Sequence, residues 1–349
     1  MLEKPDVPDD TLLACLRDHH GLHVTQIAFL PLGNDVGTAV YRVVTDDATS
    51  YFLKLRRIDR FDVTAVAIPR FLYDYGISQI VAPIATNAHQ LWTLVNDFAV
   101  ILFPFVTGQN GFAAPLSERQ WMELGVALKG MHTTVVPPAL RSSIPQEHYA
   151  PHWRDLVRTV QTRIEATTFA DPVAVELSAF LHAKRADISQ IVARADALGD
   201  ALRACAPASV LCHADMHGGN VLIGADQALS IVDWDTLTFA PKERDLMFVG
   251  GGVGGIWYDT QEEAWFYQGY GRTTIDLQAL AYYRYERIVE DIAAYSEELL
   301  WTDEGGADRA RGLRFFRDQF LPNNVVEIAY RTDLLLTESG VHRTASRGG

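Results

Sequence analysis

The chain reads as an α+β protein in two parts, a strand-rich beginning and a longer, mainly helical remainder. Three observations carry this. Apolar-alternating runs at 24–32, 39–45 and 50–55 follow a single short helix. After Pro104 the apolar spacing turns helical. Within the helical part lies one compact β insert, 210–232, with polar residues at its strand ends. At about 150 residues per domain, a length of 349 suits two domains or one domain with two lobes.

Leu12, Leu13 and Leu16 with Gly21 as a stop predict a helix over 11–20. Asp46-Asp47-Ala48-Thr49 suits a hairpin between the second and third strands. Gly33-Asn34-Asp35-Val36-Gly37-Thr38 links the first two. Pro69 fits the first turn of a short helix ending at Tyr75, with Gly76 just beyond. Strands are expected at 80–83, 90–95 and 99–104. Ser117-x-x-Gln120 is a capping-box pattern, and Leu124, Leu128 and Met131 continue it at helical spacing. Helices are expected over 153–166, 173–194 and 277–301, with loops at 137–151 and 302–309. In the insert, 210–212 is β-prone, and 221–223 and 229–232 flank a turn at 224–228. Gly250–Gly255 suits a tight turn better than a phosphate loop, and Trp121 and Trp153 suit packing.

Composition narrows the function. Hydrophobic residues make up 48% and charged residues 21%, the balance of a globular protein. The net charge of −14 disfavours binding to nucleic-acid backbones and suits a cationic small molecule. Cys15, Cys205 and Cys212 are too few and too scattered for a disulfide framework, and are expected as buried thiols in a reducing cytoplasm. Residues 1–10 lack the apolar stretch of a signal peptide. No run reaches the roughly 18 apolar residues of a membrane span.

The insert carries the chemistry. His213-Ala-Asp215-Met-His217-Gly218-Gly219-Asn220 is followed, after a short hairpin, by Asp233-Trp234-Asp235. Phosphoryl transfer needs a carboxylate to orient and deprotonate an acceptor hydroxyl, and hard oxygen ligands for Mg²⁺. Asp215, Asn220 and Asp233 supply that set. His213, Asp215 and His217 could instead ligate zinc or iron in a hydrolase, but that reading leaves Asn220, Asp233 and the N-terminal part unexplained.

His213-x-Asp215-x-x-x-x-Asn220, Ile231-Val232-Asp233 and Pro241-Lys-Glu-Arg244-Asp245-Leu246 resemble the catalytic and metal-binding loops of the aminoglycoside phosphotransferase family, relatives of the protein kinases. The resemblance covers roughly 25–300. It implies a bilobal protein-kinase-like α+β fold, with an N-lobe over 1–104, a C-lobe over 105–349 and a hinge near 103–108. It implies Asp215 as catalytic base, Asn220 and Asp233 as Mg²⁺ ligands, and Asp245 as a structural brace. ATP or GTP would lie against Lys54, which meets the α/β-phosphates from Tyr-Phe-Leu-Lys-Leu, against the loop of Gly33, Asn34 and Gly37, and against Phe103 and Phe105 at the hinge.

Acidic residues line the family's substrate cleft, and Glu286 and Glu290, with Tyr282 one turn earlier, are the expected contacts to a cationic hydroxylated substrate. Asp235 is a further candidate ligand or substrate contact. The chain departs from kinases in one respect: no glutamate lies between Lys54 and Pro83 to pair with the lysine, and the acids there are Asp59, Asp62 and Asp74. Phe29-Leu-Pro-Leu-Gly33, the 243–252 run and Tyr282-Tyr-Arg-Tyr-Glu286 resemble the spectinomycin-type members. Choline, homoserine and methylthioribose kinases share the same machinery and are the alternative, and a nucleotide-binding module without catalysis is another.

Overall fold

The computed structural model describes residues 4–32, 37–302 and 306–345. The chain forms two compact units, one of 1–144 with 219–237 and one of 145–218 with 238–349.

The first unit opens with the helix Asp9–His20, stopped by Gly21 at φ 68°. Five strands follow in an antiparallel sheet of order β1-β2-β3-β5-β4: β1 Val24–Leu30, β2 Thr38–Thr45, β3 Ser50–Arg57, β4 Thr93–Val95 and β5 Phe98–Pro104. Alternation divides β3 between two faces. Leu53 and Leu55 join Leu12, Leu16, Tyr41, Val43, Val100 and Leu102 in the core. Lys54 points to the other face, opposite Val40 and Ile101 in register.

The helix after β3 runs Thr64–Asp74, longer than expected, with Pro69 in its interior rather than its first turn. The Asp62 carboxylate accepts the Thr64 N–H at 2.8 Å, which starts the helix before the proline. Ile80 makes only a single parallel bridge to Ile231, and the strand expected at 90–95 shortens to Thr93–Val95. The capping box forms: Ser117 Oγ accepts the Gln120 N–H, and Gln120 Oε1 accepts the Ser117 N–H.

Gly108–Asn110 pairs with Val221–Gly224, which pairs with Leu229–Ile231. The Val81 N–H donates to Ile231 O, and the Ile231 N–H to Gln79 O. These bonds stitch the 221–231 hairpin into the first unit, whereas the sequence grouped it with the helical part. The first unit runs on to 144.

The second unit is helical around Leu277–Trp301, which packs against Arg185–Cys205, His152–Arg163, Pro172–Ala183 and Val325–Ala345. Asp276 caps it by accepting the N–H groups of Gln278 and Ala279. The single helix expected at 173–194 is two, broken at Lys184 (φ −97°, ψ 7°). The expected loops are partly helical, with turns at Pro138–Arg141 in the first unit and a helix from Gly306 in the second. Val210–Cys212 pairs with Thr238–Ala240 rather than with the hairpin. Gly250–Gly255 is a turn, and a Cβ at Gly251 would lie 2.1 Å from Met247 O. Cys15 and Cys212 are buried, but Cys205 is exposed. Among the described residues no helix is long and apolar enough to cross a membrane.

Candidate active site

In the second unit the loop after Val210–Cys212 is held from beneath. Asp245 is fully buried, and its carboxylate accepts the His213 N–H at 3.0 Å and the Ala214 N–H at 2.7 Å. Ala214 is left-handed at φ 68°. Such a conformation in a non-glycine residue costs on the order of 1 kcal/mol, which the two bonds to a buried carboxylate offset. The His213 ring, also buried, accepts the Asp215 N–H through Nδ1 at 3.3 Å. Backbone bonds on both sides of Ala214 thus fix where Asp215 begins.

The Asp215 carboxylate meets two further groups. Arg287 Nη1, from the Leu277–Trp301 helix, donates to Oδ1 at 2.9 Å, and His217 Nε2 lies 3.3 Å from Oδ2. Burial pushes the Asp215 carboxyl up. The His217 hydrogen bond and the Arg287 and His217 charges outweigh it and hold the group well below the usual carboxylate range. Arg287 is itself braced by Asp291 one turn on, Nε to Oδ1 at 3.1 Å, and Asp291 accepts from Gln319 Nε2 at 3.0 Å.

The expected substrate contacts on that helix divide. Tyr282 and Glu286 are 2% and 6% exposed, so they belong to the packed interior rather than to an open acidic wall. Glu286 Oε2 lies 3.4 Å from Arg154 Nε, and Arg154 also donates to the carbonyls of Ala195, Tyr149 and Ala150. Burial pushes the Glu286 carboxyl up to about 7 in spite of Arg154. Glu290 is half-buried, and its charge acts on Arg244 and Arg287.

The first unit holds the other candidates. Lys54 Nζ donates to Asp235 Oδ2 at 2.8 Å and to Asp233 Oδ1 at 3.1 Å. Burial disfavours the ammonium, but the two carboxylates outweigh it and raise its pKa. Asp233 sits at φ 63° and its side chain is half exposed, while Asn220 is buried. The Asn220 carbonyl accepts the Val232 N–H at 3.0 Å, which ties it to the residue before Asp233. The side chains of Asn220 and Asp233 offer only oxygen and amide donors, and the oxygens fit a hard divalent cation such as Mg²⁺.

Gly33 and Asn34 lie outside the described residues. The Gly37 carbonyl accepts the Arg57 N–H at 2.9 Å. Phe103 packs beside Val66, Ala99 and Ile101. The Phe105 N–H donates to Ser50 O at 3.4 Å, and the Arg42 guanidinium lies 5.0 Å from the Phe105 ring centroid.

Two arginines join these clusters that sequence reasoning did not single out. Arg287 was visible only as a counter-charge to neighbouring glutamates. Arg56, two residues after Lys54, was detectable from strand alternation, since it shares the lysine's face.

The profile of the phosphotransferase enzyme family (APH) matches residues 28–283. Protein StrN of Streptomyces griseus is 27% identical over 230 residues, which is 63% of this chain and 67% of that protein. The structure of spectinomycin phosphotransferase APH(9)-Ia in complex with ADP and spectinomycin has a TM-score of 0.87 and 37% identity, covering 94% of this chain and 99% of that one. The AMP-bound structure of the same enzyme gives a TM-score of 0.82 and 37% identity over 92% and 98% of the two chains. The matched span runs from β1 into the long Leu277–Trp301 helix, so the protein-kinase-like α+β architecture is shared throughout, and the chain belongs to the phosphotransferase enzyme family.

Proposed function

We propose that the protein transfers the γ-phosphoryl group of ATP to a hydroxyl of an aminocyclitol, with spectinomycin as the substrate and antibiotic resistance as the consequence. The observation that carries this is the 37% identity, over 94% of this chain, to an enzyme whose structure holds ADP and spectinomycin. Likenesses to ethanolamine and choline kinases, at 12% and 13% identity, show the fold alone.

In this reading Asp215 receives the acceptor hydroxyl. Its strong acidity suits orienting that hydroxyl more than removing its proton early, which fits a loose transition state in which the nucleophile stays protonated until late. The Arg287 and His217 bonds fix the carboxylate's angle, so the hydroxyl meets a preset acceptor. Lys54 meets the α/β-phosphates and the Phe103–Phe105 segment meets the base, within lobes of 1–104 and 105–349. Asn220 and Asp233 would hold Mg²⁺, which when bound neutralises charge on the triphosphate. Glu290, the half-buried acid on the long helix, would attract a substrate ammonium group. ATP is taken as the donor because the similar spectinomycin enzyme's structure holds ADP, GTP is the substitute to compare, and we place the protein in the cytoplasm.

The test is mass spectrometry of spectinomycin, other aminocyclitols, choline and homoserine after incubation with enzyme, Mg²⁺ and ATP or GTP. A phosphoryl mass gain on spectinomycin is expected. Gain on choline or homoserine alone would move the enzyme to metabolism.

A further inference from the structure

Kinases fix the strand lysine with a helix glutamate, and no glutamate lies between Lys54 and Pro83 in this chain. The three aspartates between Lys54 and Pro83 are all engaged elsewhere. Asp59 pairs with Arg57 at 3.2 Å, the Asp62 carboxylate accepts the Thr64 N–H, and Asp74 accepts from Arg70 Nε at 2.9 Å.

Lys54 instead meets the loop after Leu229–Ile231, and it does not do so alone. Lys54 and Arg56 lie on one face of β3. A single oxygen, Asp235 Oδ2, accepts from Lys54 Nζ at 2.8 Å and from Arg56 Nη1 at 3.1 Å. Arg56 Nη1 also donates to Thr38 Oγ1 at 2.8 Å, and Arg56 Nε donates to the Arg60 carbonyl at 3.2 Å. Thr38 is the first residue of β2, directly opposite Arg56 in register.

We propose that Asp235 replaces the helix glutamate as the anchor of Lys54, and that Arg56, held by the same carboxylate and by Thr38, is a second cation for the phosphates of the nucleotide. The proposal rests on the phosphotransferase reading above. The division of labour follows from the geometry. A carboxylate whose charge is shared with a metal holds a lysine less firmly than one left to the lysine alone. Lys54 reaches both Asp233 and Asp235, so the closer one, Asp235, keeps it placed when Asp233 turns to the metal. A guanidinium keeps its charge whatever it bonds, so Arg56 adds a fixed positive charge beside Lys54. Asp235 is thereby a positioning residue rather than a metal ligand or a substrate contact.

The experiment compares wild type with Asp235→Asn, Asp235→Glu and Arg56→Met. It reads kcat, the Mg²⁺ midpoint of activity, and equilibrium binding of ATP in EDTA. Asp235→Asn should lower kcat by about tenfold to a hundredfold, the scale of lost orientation, and leave the Mg²⁺ midpoint where it is. Asp235→Glu should restore part of kcat. Arg56→Met should weaken metal-free ATP binding by about tenfold, the size of one charge-assisted hydrogen bond.

A raised Mg²⁺ midpoint in Asp235→Asn would make Asp235 a metal ligand and overturn the anchor. Unchanged metal-free ATP affinity in Arg56→Met would overturn the second cation, and this arm stands even if Asp235→Asn does not fold. Either result in an enzyme that still phosphorylates its acceptor sinks this proposal alone. A wild type that binds no ATP sinks the phosphotransferase reading with it.

Discussion

The Arg287 guanidinium donates to the Asp215 carboxylate at 2.9 Å, a cation set against the acid that the proposed chemistry uses. The pair has a consequence for pH. Asp215 is depressed below its ordinary value, so the ionised form persists as pH falls through the usual carboxylate range. The stabilisation from the pair is complete above the unfolded pKa near 3.9 and fades only as pH falls towards the lower folded value. Activity in mild acid should therefore not be limited by protonation of Asp215. Arg287→Met removes the Arg287 bond to the carboxylate and the larger of the two charges beside it. The Asp215 carboxyl should then titrate about one pH unit or more higher, read from an NMR titration of its carboxyl carbon. A carboxyl that titrates where it does in wild type would mean Arg287 does not set the acidity of Asp215.

Asp215→Asn tests the carboxylate itself. The amide keeps the shape and loses the proton acceptor. Turnover should fall by about 10²-fold to 10⁴-fold, the usual range for a positioned acid or base. Nucleotide affinity, measured by calorimetry, should hold. Retained turnover would remove Asp215 from the mechanism.

Asp245 works on the same loop from below. Its carboxylate is fully buried and takes two backbone N–H bonds, one from a residue in the left-handed region. Asp245→Ala leaves those N–H groups without a carboxylate and should cost about 2 kcal/mol or more. Thermal unfolding should show this as a Tm lower by several degrees. Asp245→Asn, with a single carbonyl oxygen to offer, should recover part of the loss.

What could be read in the sequence was whatever is local. The capping box at Ser117 and Gln120, the stop at Gly21 and the span of the Leu277–Trp301 helix each depend on residues within a few turns, and each forms as read. The Asp215, Asn220 and Asp233 spacing stands out in the sequence because only a short stretch separates the three. Long-range pairing was not. Val210–Cys212 finds Thr238–Ala240, and the hairpin finds Gly108–Asn110, and no local pattern marks either choice. The partner of Lys54 was hidden for the same reason, since Asp235 is 181 residues away. Helix phase misled at Glu286. The offsets among Glu286, Glu290 and Glu297 put them on one stripe, but Arg154 arrives from another helix and buries one end, while Glu297 stays at the surface near Arg163.

That buried end yields a prediction opposite to the usual effect of breaking an ion pair. Glu286 is 6% exposed, and burial pushes its carboxyl up to about 7 although Arg154 Nε is only 3.4 Å away. An acid whose folded pKa lies above its unfolded value binds more protons in the native state between the two. Stability therefore falls as pH rises from about 4.5 to about 7. Above that range the fold carries a charged carboxylate it would rather bury neutral, at a cost of order 3 kcal/mol or less. Glu286→Gln removes the charge and keeps the shape. Arg154 keeps the carbonyls of Ala195, Tyr149 and Ala150. The variant should be more stable than wild type at pH 8 and level with it near pH 4, by chemical denaturation at the two pH values. A loss of stability at pH 8 would show that the Arg154 pair outweighs burial. A rise in KM for spectinomycin at unchanged stability would return Glu286 to the substrate contacts.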